Sequence, residues 1–381
     1  MAIKYPYEYD KEKRKRAKIY TRTKIINGIV NSIFISMIFL VFLLYSGYTQ
    51  TILEYAIQIA GSYYVPAYII VLMTLLTIVE FPLSFYSGFI YEHKYKLSNQ
   101  CLYAWLVDFF KEIALMYAIA VPLLWGLYVL MGWTPIWYVY AAILYIGFTA
   151  FLDYIYPIVI FPIFYKTRPY ADEEMKRKLL LMAEKAGIKN FRSVEVACES
   201  EKSNKANAMF TGIGGSKRIV LFDTLLDNFT ADEIETVVAH ELGHYVNKDI
   251  LRLTVIDSLK IIPVFLIIIA VFENYAIDFG ISGIGDISGL PLFLLVNSVI
   301  ELILMGPMMA YSRKREKAAD LFALEFTGKA EAQISTEKRL ADMNLADESP
   351  HALVEFLLYS HPAVSKRIEY AREWEKKKKK E

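Results

Sequence analysis

His240, Glu241, Leu242, Gly243 and His244 place two imidazoles four residues apart with a carboxylate next to the first. On a helix, residues four apart lie on one face, so both imidazoles can reach one ion. This is the HExxH pattern of a zinc hydrolase, in which the histidines bind the metal and the glutamate works on a water. Zinc lowers the pKa of that water from ~16 toward ~7. Glu241 can then take its proton as a carbonyl is attacked and pass it on to the leaving amine. Gly243 is small and leaves room on the metal side. The chain holds five histidines in all, so an accidental pair bracketing a glutamate on an ordinary amphipathic helix is the weaker reading.

Such a site needs a third protein ligand and one open position. No histidine follows His244 at the metzincin spacing, and Asp249, five residues on, points off the ligand face of the helix. The better candidate is the stretch 312–320, SRKREKAAD, in which Glu316 and Asp320 share a helix face. Glu316 can bind the metal while Asp320 hydrogen-bonds a ligand imidazole from behind. Taken alone, such a pair among arginines is ordinarily a solvated helix face. It gains weight because the topology returns it to the same membrane face as HExxH.

That topology follows from composition. Hydrophobic residues make up 55% of the 381, and apolar runs reach the ~20 residues that a spanning helix needs. The fold class expected is a polytopic α-helical membrane protein of about six spanning helices with a cytosolic α+β zincin-type metalloprotease domain. Residues 1–24 form a basic cytosolic tail, and 25–165 hold membrane helices 1–4, near 25–45, 64–85, 113–131 and 136–164. A cytosolic α+β segment, 166–250, carries HExxH. Membrane helices 5 and 6 lie within 251–311, and the cytosolic helical tail 312–381 completes the zinc site. The basic start and the basic segments 166–249 and 312–381 place both termini and the site in the cytosol. The stretch 273–289, without Lys or Arg, falls on the other side.

A net charge of +1 gives no ground for nucleic acid as a partner, and the basic tail abuts a spanning helix. Cys101 and Cys198 form no metal or redox spacing. Within the polar segment, 173–186 reads as a helix and Ser193–Ala197 and Arg218–Phe222 as strands, either of which could take up a peptide by strand addition. Gly212, Gly214 and Gly215 read as a turn. Thr230 and Glu233 form a capping box at the start of the HExxH helix. Glu80, Asp153 and Glu301 interrupt apolar runs, which suits either structural pairing or a wet interior. A transporter is the reading from another class, but no internal repeat or pair of broken helices supports it.

With these residues in view, the chain resembles the integral-membrane CAAX prenyl protease (type 1) family of HExxH zinc metalloendopeptidases, a group that also includes bacterial heat-shock membrane proteases. The matching stretches are 240–244, 312–320, 207–212 (NAMFTG), 219–226 (IVLFDTLL), His361-Pro362 with Arg367, and the region from Phe81 to Gln100. The resemblance covers roughly residues 64–370, and 244–249 and 313–316 look closer to its prokaryotic members. It implies one zinc ion per chain, held by His240, His244 and Glu316, with Glu241 as general base and Asp320 behind the ligands. It further implies that Asn207 holds the substrate backbone and that His361 and Arg367 steady the oxyanion, where each donor is worth about 3–4 kcal/mol. The partners implied are the lipid bilayer and a peptide or protein substrate, prenylated or not, cut near its C-terminus. The alternative is a membrane-protein quality-control zinc protease of the bacterial heat-shock type. A chamber inside the helix bundle is also a trait of the group.

Overall fold

The structure is a computed structural model that describes residues 3–188, 193–212 and 217–381. It opens with α1 (Lys11–Ile29), whose N-terminus is capped by Asp10, accepting from the N–H groups of Glu12 and Lys13. A π-helical turn, Val30–Ile35, leads directly into α2 (Ser36–Ser46). Gly47 then adopts a left-handed conformation that ends the run. An amphipathic helix, α3 (Tyr48–Ala60), folds back at Gly61 and packs along α4 (Tyr64–Phe85). The short α5 (Tyr91–Lys94) precedes two long apolar helices, α6 (Leu102–Trp133) and α7 (Trp137–Ile155), the latter extended to α8 (Phe161–Phe164) through a π turn.

A polar module follows. It comprises β1 (Thr167–Pro169), α9 (Glu173–Lys185), β2 (Ser193–Ala197), β3 (Ala208–Thr211), β4 (Arg218–Phe222), α10 (Asp223–Asn228) and α11 (Ala231–Val246). Two further apolar helices, α12 (Asp249–Tyr275) and α13 (Leu290–Thr327), lead to α14 (Ala330–Met343), α15 (Ala352–Leu358) and α16 (Val364–Lys378).

Among the described residues, five helical runs are long and apolar enough to cross a membrane, and α2 is a shorter apolar helix. The chain is therefore mostly helical, with membrane helices and one small sheet. Two of the three acids within apolar runs have partners: Ser36 Oγ donates to Glu80 Oε1 at 2.5 Å, and Lys260 Nζ lies 3.1 Å from Glu301. Pairing of this kind removes most of the cost of placing a carboxylate there.

The sheet has the order β1-β2-β4-β3, with β2 and β4 parallel and both outer pairs antiparallel. Both strands expected to take up a peptide are thus inner strands. Every residue of β4 is buried, and such a continuous apolar run is the mark of a strand covered on both faces. The edges are β1 and β3, and β3 runs beside α11. Gly214 and Gly215 lie outside the described residues, and Gly212 has a positive φ of 96°.

The core under the sheet joins Leu179, Val194, Ile219, Leu221 and Leu225 to Val238, Ala239 and Leu242 on the inner face of α11. Each large aliphatic side chain buried there contributes about 1.5–3 kcal/mol. That anchors one face of α11 and leaves the other for chemistry.

The 38 residues of α13 extend about 57 Å at 1.5 Å per residue, against a hydrocarbon core of about 30 Å. Its last turns, carrying Glu316 and Asp320, therefore continue in the same helix out of the apolar zone and onto α11. The N-terminal segment closes the module from outside. Tyr7 N donates to Ser335 Oγ at 2.7 Å, its hydroxyl donates to Asp342 at 2.8 Å, and Arg14 pairs with Asp342.

Candidate active site

Thr230 and Glu233 form the capping box at the head of α11, and Glu233 is fully buried. Ser335 and Arg339 of α14 also donate to its carboxylate. A helix start held this firmly fixes the rotation of α11, and with it the direction in which His240 and His244 point. The two Nε2 atoms lie 3.1 Å apart.

α13 crosses α11 at Gly243. A Cβ there would lie 3.1 Å from the Ala319 Cα and 3.3 Å from its carbonyl oxygen. The room that Gly243 leaves therefore serves the backbone of α13 and not the metal side, as the sequence had suggested. The close crossing brings Glu316 to the histidines: Oε2 lies 3.3 Å from His240 Nε2, and Oε1 lies 3.4 Å from His244 Nε2. Gly243→Val is expected to push α13 outward and weaken metal binding at least tenfold, a loss comparable to that from disturbing a ligand's supporting partners. Chelator competition measures it, and a wild-type dissociation constant in a folded variant would show that the crossing does not set the site.

Among the described residues, the ligand atoms of His240, His244 and Glu316 lie within 4.8 Å of one another. Glu316 Oε2 is buried with no hydrogen-bond partner, although His240 stands close by. Two imidazole nitrogens and one carboxylate are the donor set of a hydrolytic zinc centre, so the residues present fit that ion. The electrostatics agree. Burial opposes charge on His240, but the Asp320 and Glu316 carboxylates outweigh it and raise its pKa to about 10. Glu316, despite its burial, is held well below the usual carboxylate range by the two imidazoles beside it. The cluster thus draws positive charge to itself, and a bound cation would displace those protons.

Each ligand histidine is held from behind. His240 Nδ1 lies 2.9 Å from Asp320 Oδ1, and His244 Nδ1 lies 2.9 Å from Asp249 Oδ2. An Nδ1–H donated to a carboxylate leaves the Nε2 lone pair facing the metal position. Asp249 is a residue that sequence reasoning set aside. A straight helix would turn it away, but Lys248 takes a left-handed conformation, φ 54°, which breaks the helix and swings Asp249 back. Arg315 pairs with Asp249 at 2.5 Å and completes that support.

Glu241 stands beside the cluster. Its Oε2 accepts the Phe210 N–H of β3 at 3.3 Å, and burial raises its pKa. A small cavity of about 130 Å³ touches His240, Glu241, Asn207, His361 and Arg367. The structure thus brings Asn207, His361 and Arg367 to the same cavity as His240 and Glu241. Asn207 uses its Oδ1 to accept the Ala208 N–H at 2.9 Å. His361 Nε2 lies 3.4 Å from Glu316 Oε1, on a side chain that is 59% exposed, and burial of its surroundings lowers its pKa.

Arg367 is placed differently from the expectation. Its Nε and Nη2 grip Asp320 at 2.8 and 2.5 Å, and its Nη1 lies 2.8 Å from Glu337. Its donors therefore point at two carboxylates behind the ligands. Glu337, which no motif marked, lines the same cavity, and burial pushes its pKa up to about 7.

Comparisons with known proteins fit this geometry. A sequence profile of peptidase family M48 matches residues 169–375, and one described as "CAAX prenyl protease N-terminal, five membrane helices" matches residues 4–166. The metalloprotease YhfN of Bacillus subtilis is 32% identical over 322 residues, which cover 80% of this chain and 72% of that protein. CAAX prenyl protease 1 of Saccharomyces cerevisiae is 29% identical over 322 residues, 78% of this chain and 69% of the yeast protein. The crystal structure of S. mikatae Ste24p superposes with a TM-score of 0.82 at 26% identity, over 95% of this chain and 89% of that one.

Proposed function

The chain belongs to peptidase family M48, and from that premise we propose that it is an integral-membrane zinc endopeptidase that cuts CAAX-type substrates near their C-terminus. The observation that carries this reading is the approach of three ligand atoms from α11 and α13 within 4.8 Å, with Glu241 beside them. His240, His244 and Glu316 would hold one zinc ion. When bound, zinc supplies Lewis-acid polarisation of the scissile carbonyl and lowers the pKa of a water to about 7.

The chain's own groups do the rest. Glu241 takes the proton of the attacking water and returns it to the leaving amine, and burial raises its pKa above the ordinary carboxylate value. His361, exposed and next to Glu316, is the group we assign to the developing oxyanion. Arg367, occupied by Asp320 and Glu337, holds the ligand set in place. The peptide backbone lies along the edge strand β3, with Asn207 at its start.

Six crossings of the membrane account for the helices, if 25–46 is counted with the five longer runs. The far-side segments then meet each other: Gln50 of α3 donates to the Gly280 carbonyl and to Ser288. The N-terminal segment meets α14 on the opposite side, which supports two cytosolic termini and a zinc site facing the cytosol. A cavity of about 720 Å³ between α1, α12 and α13 reaches from Lys260 and Glu301 to Leu358. Met305, Met308 and Met309 line it, and such adaptable side chains suit a route for substrate.

The test uses the full chain in lipid vesicles with three substrates: a prenylated CAAX peptide, the same peptide without the lipid, and an unfolded membrane protein. Cleavage of the CAAX peptide that stops on chelation and returns with zinc is the expected result. Cleavage of the unfolded protein alone would favour the quality-control reading, and chelator-resistant cleavage would remove the zinc mechanism.

A further inference from the structure

We propose that Glu337 is a positioning residue for the metal centre, acting through Arg367 and Asp320 on His240. The inference rests on reading the site as a zinc centre. Four groups from four helices stand in a row. Glu337 on α14 meets Arg367 on α16 at 2.8 Å. Arg367 meets Asp320 on α13 through two nitrogens, at 2.8 and 2.5 Å. Asp320 Oδ1 lies 2.9 Å from Nδ1 of His240 on α11. The side chains of Glu337, Arg367 and Asp320 are 5%, 12% and 0% exposed, so water does little to replace a lost partner.

The geometry explains why the row needs its last member. Asp320 Oδ1 is shared between Arg367 Nη2 and His240 Nδ1. A guanidinium held along one edge alone can still pivot about the carboxylate that it grips. Each pivot would shift Oδ1 relative to the imidazole. Glu337 engages Nη1, away from Nε, so the planar fork is fixed at two places and Asp320 is fixed with it. The direct steps of peptide hydrolysis leave Glu337 without a task, since Glu241 moves the proton and Glu316 is the carboxylate among the ligands. A carboxylate buried among charged partners is costly unless its pairing is used. The role also differs from substrate contact, because Glu337 touches a residue that itself lies behind a ligand.

Supporting partners of metal ligands change affinity about 10- to 100-fold, and Glu337 stands one step further back, so about tenfold is expected. The measurement is the zinc dissociation constant of the full-length protein in detergent or nanodiscs, by chelator competition. Thermal unfolding of the metal-free protein is followed in parallel. Glu337→Ala should raise the constant about tenfold. Glu337→Gln keeps an acceptor for Nη1 and should recover most of that loss. Arg367→Lys should behave like Glu337→Ala, and the double variant should be no worse than either single change, because all act through one row. The spectrum of the cobalt-substituted protein should shift in Glu337→Ala and return toward wild type in Glu337→Gln, which a general loss of stability would not produce. If the alanine variant does not fold, Glu337→Gln and Glu337→Asp carry the test, the shorter acid weakening zinc more than the amide. Equal zinc affinity in wild type and Glu337→Ala overturns the proposal, as does additivity with Arg367→Lys. If wild type itself holds no zinc, the zinc-centre reading is what fails.

Discussion

Glu241→Gln is expected to keep its zinc and its fold and to lose about 10³-fold in kcat, within the range that a positioned general base supplies. The amide matches the carboxylate in size, and its oxygen can still accept the Phe210 N–H that Glu241 accepts now. The sheet core takes Val238, Ala239 and Leu242 from α11 and not Glu241, so the substitution leaves its apolar contacts unchanged. What the amide cannot do is accept a proton from water. The check is kcat on the cleaved peptide together with zinc content in the same preparation. Near-wild-type turnover with zinc in place would end the general-base assignment. Loss of zinc along with activity would mean that Glu241 supports the metal and is not the base.

Glu316→Ala should have the other large effect, and on a different quantity. It removes one of three ligands and leaves the two imidazoles without the carboxylate that lies 3.3 and 3.4 Å from them. Affinity should fall by more than the roughly 100-fold upper range for supporting residues, since the lost atom binds directly. Zinc should wash out on dialysis, and activity should vanish and return in part at high zinc. Without its neighbouring acid His240 should also lose part of what raises its pKa, although Asp320 still holds it. One zinc per chain at wild-type affinity would exclude Glu316 as a ligand.

The two experiments separate the halves of the site. Glu241 belongs to α11 alone and would be positioned by that helix in almost any fold. Glu316 reaches the same point only because a helix of 38 residues carries it there.

That contrast marks how much was legible in the chain. HExxH is local: four residues of helix put both imidazoles on one face, so His240, Glu241 and His244 could be read before any fold was known. The membrane helices were legible for a similar reason, because hydropathy over ~20 residues is a one-dimensional property. β2, β4 and the capping box at Thr230 were also local patterns, and the structure has them at the expected residues. The short strand β3 carries too few residues for a period to show, and it went unread although it forms the edge beside the site.

What the chain hid was long-range or depended on one backbone turn. Asp249 lies five residues after His244, and its direction is decided by the left-handed Lys248. Gly243 could be seen to be small, but its service to the backbone of Ala319 appears only when α13 crosses it. Arg367 could be matched to a role by resemblance, yet its partners, Asp320 and Glu337, come from α13 and α14. The sequence by itself determined a chain with membrane helices and an HExxH helix with its capping box, because each of those is a property of neighbouring residues. Only the tertiary structure decided which carboxylates stand behind which histidine. Hydrogen bonds form over about 3 Å, and a contact at that range between residues far apart in the chain, such as His240 and Asp320 at 2.9 Å, is set by how helices cross.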